Sequence, residues 1–561
     1  MKSEIKKFFR GEVEDDEATR EKYSRDASLL EVKPALVAYP FDSEDVKNLV
    51  KWVGENKEKY PGLAITPRCA GTDMSGGAIG ESIILDFTRH MNRLIGGPLP
   101  HDENSWSITV EPGMLYRDFE QLTLAKGYIL PCYTASKSIN AVGGMFGNNS
   151  AGERTLKYGK TEDYILETKI VFADGSEHVV RPLSEVPLKQ KISQVDFEGN
   201  VYRKVFDLVK NNEEEIKHAK PQVHKNSAGY YIWNVLSPQG FDLNKLLVGS
   251  QGTLGIATEL TFKLLPNPKY SKLVSIFIDD LESLGRLVNE ILELNPETLE
   301  AYDDKTMRLA VKFFPDFLKK KGLRGMFKLV RSFLPEFKML IRGGMPKLVI
   351  LVEFSGVDEK DAHNKCHDLA EKIKHFGFNI HITESEAESE KYWDIRRESF
   401  ALLRKHVRTM RTAPFIDDII VRPEFLPKFL PELNAILKNY KLIYTIAGHA
   451  GDGNFHIIPL MDFRRRDVAK IILELSDLVY DLVVRYHGSI TAEHNDGIIR
   501  TPYLHKMYTS RMIEIFKEIK YIFDPKNILN PGKKVPTADM GGTKDYIASH
   551  LVKEHDMRHT V

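Results

Sequence analysis

Cysteine is scarce. The 561-residue chain holds three, Cys69, Cys132 and Cys366, far apart and with no CxxC pair. That argues against a disulfide framework, a structural zinc site and an iron–sulfur cluster within the chain. An excess of either charge is missing too: 79 Lys and Arg balance 79 Asp and Glu, so no global basic field exists to hold nucleic acid. No run of about 18 apolar residues occurs, and the N-terminus MKSEIKKFFRGEVEDDEATREKYSRDAS turns acidic before any apolar stretch, unlike a signal peptide. The expectation is a protein neither secreted nor membrane-spanning, in a reducing, cytoplasmic setting. Also absent is a GxGxxG loop with an acidic residue about 20 positions on, the spacing that a nicotinamide-dinucleotide fold needs.

What remains is ordinary globular material, 42% hydrophobic, 28% charged and 10% aromatic, long enough for two or three domains. After a lead over 1–34, the run Ala35–Pro40 reads as a strand and Ser43 as the N-cap of a helix. Short β-rich runs follow at Leu63–Thr66, Ser82–Asp86, Ser107–Glu111 and Thr168–Phe172, separated by glycine-rich turns. Pro266 and Pro268 mark a boundary, so the first domain is placed at 35–268. Residues 269–485 alternate helices with strands such as Lys347–Glu353, which predicts an α+β domain with an antiparallel sheet. A C-terminal segment, 486–540, and a mobile tail, 541–561, complete the chain. Residues 305–347 hold twelve Lys and Arg against Asp316 and Glu336, interleaved with Phe and Leu. This segment fits either a solvated insertion or peripheral contact with an anionic membrane at its inner face.

Three glycine-rich stretches stand out: Pro67–Gly77, Asn140–Gly152 and Gly249–Gly255. Glycine lets backbone N–H groups approach an anion closely, and Thr72 and Ser75 add hydroxyl donors, so the first can cradle a pyrophosphate. Taken one at a time, each is equally an ordinary turn cluster. Further on, Gly448-His-Ala-Gly-Asp-Gly-Asn-Phe-His456 reads as a hairpin able to bring His449 and His456 together, and Glu493-His494 follows. Two imidazoles and a carboxylate suit a zinc-like ion with an open position; from the residues alone, hydrogen-bonded structural histidines fit as well. In Trp393-Asp-Ile-Arg396, the guanidinium could clamp a carboxylate bidentately or join a surface salt bridge.

In order and spacing these stretches resemble the FAD-binding domain of the vanillyl-alcohol-oxidase superfamily (PCMH type). The likeness runs through Pro40, the Arg68–Gly77 loop, Glu111-Pro-Gly113, Gly143–Gly152, Tyr158-Gly159, Ala173-Asp-Gly175, Lys225-Asn-Ser-Ala-Gly229, Gly249–Gly255 and the return segment Phe523-Asp-Pro…Asn530-Pro-Gly532. It implies FAD held by Arg68, Gly71, Thr72, Asp73, Ser75, Gly76, Gly143, Gly144, Asn148, Ser150, Gly152, Gly252, Ile256 and Asn530. The chain departs at Cys69-Ala70, where glycines are commoner, and has no histidine in that loop. Cys132 lies at the wrong spacing for a cysteinyl link, so noncovalent FAD is expected.

GHxGDGNxH followed by EH is similar to members acting on D-lactate, D-2-hydroxyglutarate and glycolate. The resemblance implies His449, His456 and Glu493 as ligands of a divalent metal, Zn or Mn. It also implies Arg396 as the carboxylate clamp and His494 as acceptor of the C2 hydroxyl proton while hydride leaves for flavin N5. Asn495-Asp496 replaces the commoner Gly-Ile after the EH pair. Phe400, on the helical face of Arg396, offers no partner for a second carboxylate, which favours D-lactate over D-2-hydroxyglutarate. Electrons would pass to a quinone, an electron-transfer flavoprotein or a separate iron–sulfur protein. The rival readings are a non-redox transferase of the alkylglycerone-phosphate synthase type and a noncatalytic flavoprotein subunit.

Overall fold

The computed structural model describes residues 1–312, 345–406, 410–537 and 541–553, with side chains from 309 to 312 and from 398 to 406 outside the description. Most of the basic segment 305–347 and the side chain of Phe400 therefore lie outside the described residues.

The chain opens with a small sheet. Leu36–Tyr39 and Ile83–Asp86 are buried at every position and apolar but for the end residues Tyr39 and Asp86, whose hydroxyl and carboxylate are hydrogen-bonded, as expected of parallel strands covered on both faces. They pair in parallel, and Ile65–Arg68 joins on the other side. Glu12–Glu14 adds an antiparallel edge against Leu36–Tyr39, so the lead over 1–34 is not separate from the first domain: Val13 sits in its core. The helix Ser43–Asn56 covers this sheet with Val46, Leu49, Val50 and Val53, the apolar stripe of a 3.6-residue period. Its N-cap is Asp42, not Ser43: the Asp42 carboxylate accepts from the N–H of Glu44 at 3.1 Å, and a charged acceptor also favours the positive end of the helix dipole.

A second sheet is centred on Ile256–Pro266, whose burial alternates strictly, the mark of a strand with one core face. Ser105–Val110 and Ile165–Val171 flank it antiparallel. The third is, among the described residues, a seven-stranded sheet in the order Asn379–Ile382, Tyr270–Ile278, Leu348–Gly356, Thr298–Asp303, Ile446–His449, Asn454–Ile457, Ile419–Ile420. Every pairing in it is antiparallel.

The C-terminal segment returns to the first sheet. Ile65 N–H donates to Ile528 O and Asn530 N–H to Ile65 O, both at 2.8 Å. The expected mobile tail is ordered through its described part: the helix Lys544–Ser549 is followed by Leu551, which bridges Leu30. Buried Ile547, Leu551 and Val552 supply the reason, since apolar burial offsets the entropy of ordering a terminus.

Candidate active site

One cleft is shared by the two halves of the chain. The glycine-rich stretches line it with Arg68, Gly71, Thr72, Asp73, Gly143, Gly144, Asn148, Ser150, Gly152, Gly252 and Ile256; Arg396, His449, His456, Glu493 and His494 line it from the other side. Of the residues singled out from sequence, Ser75, Gly76 and Asn530 are not on its surface but behind it. Buried Ser75 donates its hydroxyl to Asp73 Oδ2 at 2.9 Å, and a Cβ at Gly76, which has φ +85°, would meet Leu30 and Ile498. Asn530 Nδ2 donates to the carbonyls of Gly77 and Gln251 at 2.9 and 2.7 Å. They shape the loop from beneath.

The loop surface suits an anion. The N–H groups of Ala70 to Met74 donate to no acceptor among the described residues, leaving donors for a pyrophosphate. Asp73, by contrast, is a strut. Its carboxylate accepts from the N–H groups of Ser75 and Gly77 at 3.0 and 2.6 Å and from Asn148 Nδ2 at 2.7 Å. Gly144, in the helix Val142–Asn148, faces open space: a Cβ there would meet nothing within 4 Å, which allows a planar ring to approach the backbone. Gln251, missed from sequence, ties the loops together, donating to Ser75 Oγ and Asn148 Oδ1, both at 3.2 Å. Cys132 is buried and does not line the cleft. Cys69 does line it, with its thiol directed at the Pro112 carbonyl, 3.4 Å away.

Opposite stands a dense charged cluster. Strands Ile446–His449 and Asn454–Ile457 form a hairpin in which Ala447 faces His456. His449 and His456 thus share a face, with ring centroids 5.3 Å apart, and the His494 ring stacks on His456 at 5.1 Å. Each Nδ1 meets a carboxylate: His449 with Glu300 Oε1 at 2.6 Å, His456 with Asp417 Oδ1 at 3.3 Å and His494 with Asp417 Oδ2 at 2.9 Å. Carboxylates accept, so Nδ1 carries hydrogen on the His449 and His456 rings and their Nε2 atoms are left for the cleft, while His494 Nδ1 stands at ion-pair distance from Asp417 Oδ2. Glu300, on Thr298–Asp303, also pairs through Oε2 with Arg396; the guanidinium is therefore held by a buried partner, not a surface one. Asp418 accepts through Oδ2 from Thr491 Oγ1 and from the N–H groups of Ala492, Glu493 and His494, at 2.7 to 2.9 Å, which fixes the Glu493–His494 turn. Asn495 follows at φ +68°. That left-handed conformation favours glycine and tolerates asparagine, which explains how Asn stands after the EH pair.

The electrostatics suit a cation. Burial opposes ionisation of Glu493, but Lys225 and His449 outweigh it and hold the carboxyl well below its usual range. Burial likewise pulls His449 and His494 down, while Glu300 and Glu493 around the first, and Asp418 and Asp417 around the second, push both up to about 9. Buried carboxylates (Glu300, Asp417, Asp418, Asp452, Glu493) outnumber the cations beside them, buried Lys160, Lys225 and Arg500 and part-buried Arg396. With neutral imidazoles the cluster keeps an excess of negative charge, which suits a cation. His449, His456 and Glu493 can bring one ligand atom each within 4.8 Å of the others. The 3.3 Å between His449 Nε2 and Glu493 Oε1 is a span that two donors of one ion at about 2.1 Å each would have.

Known proteins resemble the chain over both of its halves. An FAD binding domain family matches residues 34–181, and the family described as FAD linked oxidases, C-terminal domain, matches 267–534. Relatives include a Pseudomonas putida D-2-hydroxyglutarate dehydrogenase (27% identical, covering 94% of this chain and 50% of that protein) and the Bacillus subtilis glycolate oxidase subunit GlcD (26%, 93% of each). A D-lactate dehydrogenase of Anaerostipes hadrus is 25% identical over 89% of each chain. The chain spans about half the length of the first of these relatives. The solved structure of 4-ethylphenol oxidase from Gulosibacter chungangensis shares the fold, with a TM-score of 0.67 at 16% identity, over 96% of this chain and 97% of that one. By its two matched domains the chain belongs to the FAD-linked oxidases built on a PCMH-type FAD-binding domain.

Proposed function

We propose that the chain oxidises a D-2-hydroxyacid to the 2-oxoacid, with D-lactate as substrate. The observation that carries this reading is the shared cleft, in which unpaired loop N–H groups and Gly144 face Arg396, the three histidines and Glu493. FAD, held noncovalently, supplies the hydride acceptor, and a divalent ion such as Zn or Mn on His449, His456 and Glu493 would acidify a bound hydroxyl. The chain's own groups do the rest. Arg396, held by Glu300, presents its guanidinium to the substrate carboxylate. His494 takes the hydroxyl proton at Nε2, its Nδ1 standing against Asp417; a cation on the neighbouring ligands would favour the neutral, accepting form of the ring. Glu300 and Asp417 keep the rings in that tautomer.

Two further points favour a short substrate. Arg396 is the cation lining the cleft beside the histidines, and the next guanidinium, Arg397, is taken by Glu153 at 2.6 and 2.7 Å. Among the described residues next to Arg396, a second carboxylate would therefore meet a guanidinium already paired. D-2-hydroxyglutarate is the second reading, favoured by the activity named for the Pseudomonas relative. The acceptor of the electrons is proposed to be a quinone, an electron-transfer flavoprotein or a separate iron–sulfur protein. No helix among the described residues is long and apolar enough to cross a membrane.

The test is anaerobic absorbance during successive additions of D-lactate, L-lactate, D-2-hydroxyglutarate and glycolate. Bleaching of the flavin band by D-lactate first supports the reading, and bleaching only by D-2-hydroxyglutarate moves it to the longer acid. A flavin that none of them bleaches removes it in favour of a transferase or a noncatalytic subunit.

A further inference from the structure

Lys225 has a fully buried side chain, and its ammonium donates to Glu493 Oε1 at 2.6 Å and reaches Asp452 Oδ2 at 2.7 Å. A lone ammonium in such a place is costly, so its partners decide why it is tolerated. They come from two different segments. Asp452 sits in the turn of the hairpin that carries His449 and His456, and Glu493 lies on the turn that also bears His494. The lysine belongs to neither: it comes from the 225–229 loop, which is sewn to the Glu493 turn by Ser227 N–H donating to Thr491 O at 3.0 Å and Ser227 Oγ to Ala492 O at 2.9 Å. On the far side, half-exposed His224 pairs with the other oxygen of Asp452. One ammonium thus clamps both ligand-bearing segments together, and it holds the same Glu493 oxygen that stands 3.3 Å from His449 Nε2.

We propose that Lys225 is a positioning residue for a divalent cation: it sets the separation between the histidine hairpin and Glu493, so that the donors are preorganised before an ion arrives. Groups that orient metal ligands through hydrogen bonds typically change affinity about 10- to 100-fold when removed. The inference rests on the metal reading above. It adds that the ligand geometry depends on a lysine outside both ligand segments.

The experiment is titration of the FAD-loaded, chelator-treated protein with Mn2+, following the six-line EPR signal of the free ion. Wild type is expected to take up one ion, and Lys225→Met to bind it at least about 10-fold more weakly while retaining FAD and a native circular dichroism spectrum. Equal affinity in a folded Lys225→Met protein overturns the inference. No uptake by wild type overturns the metal reading itself, which keeps the two failures apart. Lys225→Met leaves two buried carboxylates facing each other and can fail to fold, so Asp452→Asn is the second variant. It is isosteric and keeps Lys225 on Glu493; it removes the anchor to the hairpin together with one buried negative charge and the ion-pair partner of His224. A loss of about 3-fold, smaller than the range for a directly bound group, is expected from it, and an affinity unchanged from wild type overturns the clamp.

Discussion

The two walls of the cleft are built by opposite means. The flavin-side wall works through its backbone: N–H groups from Ala70 to Met74 without acceptors among the described residues and a bare Cα at Gly144, with Asp73 and Asn148 bracing the loop. The histidine wall works through side chains: each imidazole stands against a carboxylate, Glu300 or Asp417, and Asp418 fixes the Glu493–His494 turn. The first recognises a bulky anion by leaving room and donors; the second fixes a few atoms and balances charge. Damage to the first should therefore empty the cofactor site without touching chemistry, and damage to the second should stop chemistry in a protein that stays yellow.

The largest separation is expected from His494→Ala. It should keep FAD and slow flavin reduction about 10²–10⁴-fold, the range for a general base; stopped-flow reduction at the wild-type rate would remove His494 from the reaction. Next comes Glu300→Gln, which loosens His449 and Arg396 at once. A loss of about 10- to 100-fold in kcat/KM with a raised KM for the hydroxyacid is expected, and an unchanged KM would mean that Arg396 does not need Glu300. On the other wall, Gly144→Ala should separate stability from cofactor. Its Cβ meets nothing in the protein, and alanine favours a helix by about 1 kcal/mol over glycine. The apoprotein Tm should hold or rise while the FAD content of purified protein falls, and full FAD content would place the ring elsewhere. The smallest effect is on pH. His449 and His494 are pushed up to about 9, so protons compete with an ion below that value, and metal affinity should rise with pH from neutrality towards about 9. A flat profile in the same Mn2+ titration would contradict the charge balance drawn for this wall.

The two walls also differed in how legible they were. The Gly448–His456 pattern encodes its hairpin directly, because turn glycines between strand-like residues leave one local solution, and Trp393–Arg396 sits on the helix Glu386–His406. The supporting groups were not readable. Glu300 in Thr298-Leu-Glu-Ala-Tyr302, Asp417-Asp418 within Phe415–Val421 and Lys225 each amount to a charge in or beside an apolar run, and only the pairing of distant strands gives that charge a partner. The signal was present, since an ionised group in a buried strand demands one, but the sequence does not say which. Ser75, Gly76 and Asn530 were expected on the cofactor surface and stand behind it, because a glycine-rich loop looks the same whether a residue faces the anion or braces the turn. The packing of the lead and of the described part of the tail was hidden for a related reason: Val13 and Leu551 are short apolar contributions to cores assembled from elsewhere.

The central claim is that the walls act together on one hydroxyacid. Its most direct test is anaerobic mixing of D-lactate with three forms of the FAD-loaded protein: as metal-loaded, after chelation, and after Zn2+ or Mn2+ is returned. The account expects rapid bleaching of the flavin, then little or none, then recovery. Equal bleaching before and after verified metal removal would contradict it, leaving the histidine wall a structural cluster and the flavin wall to work alone.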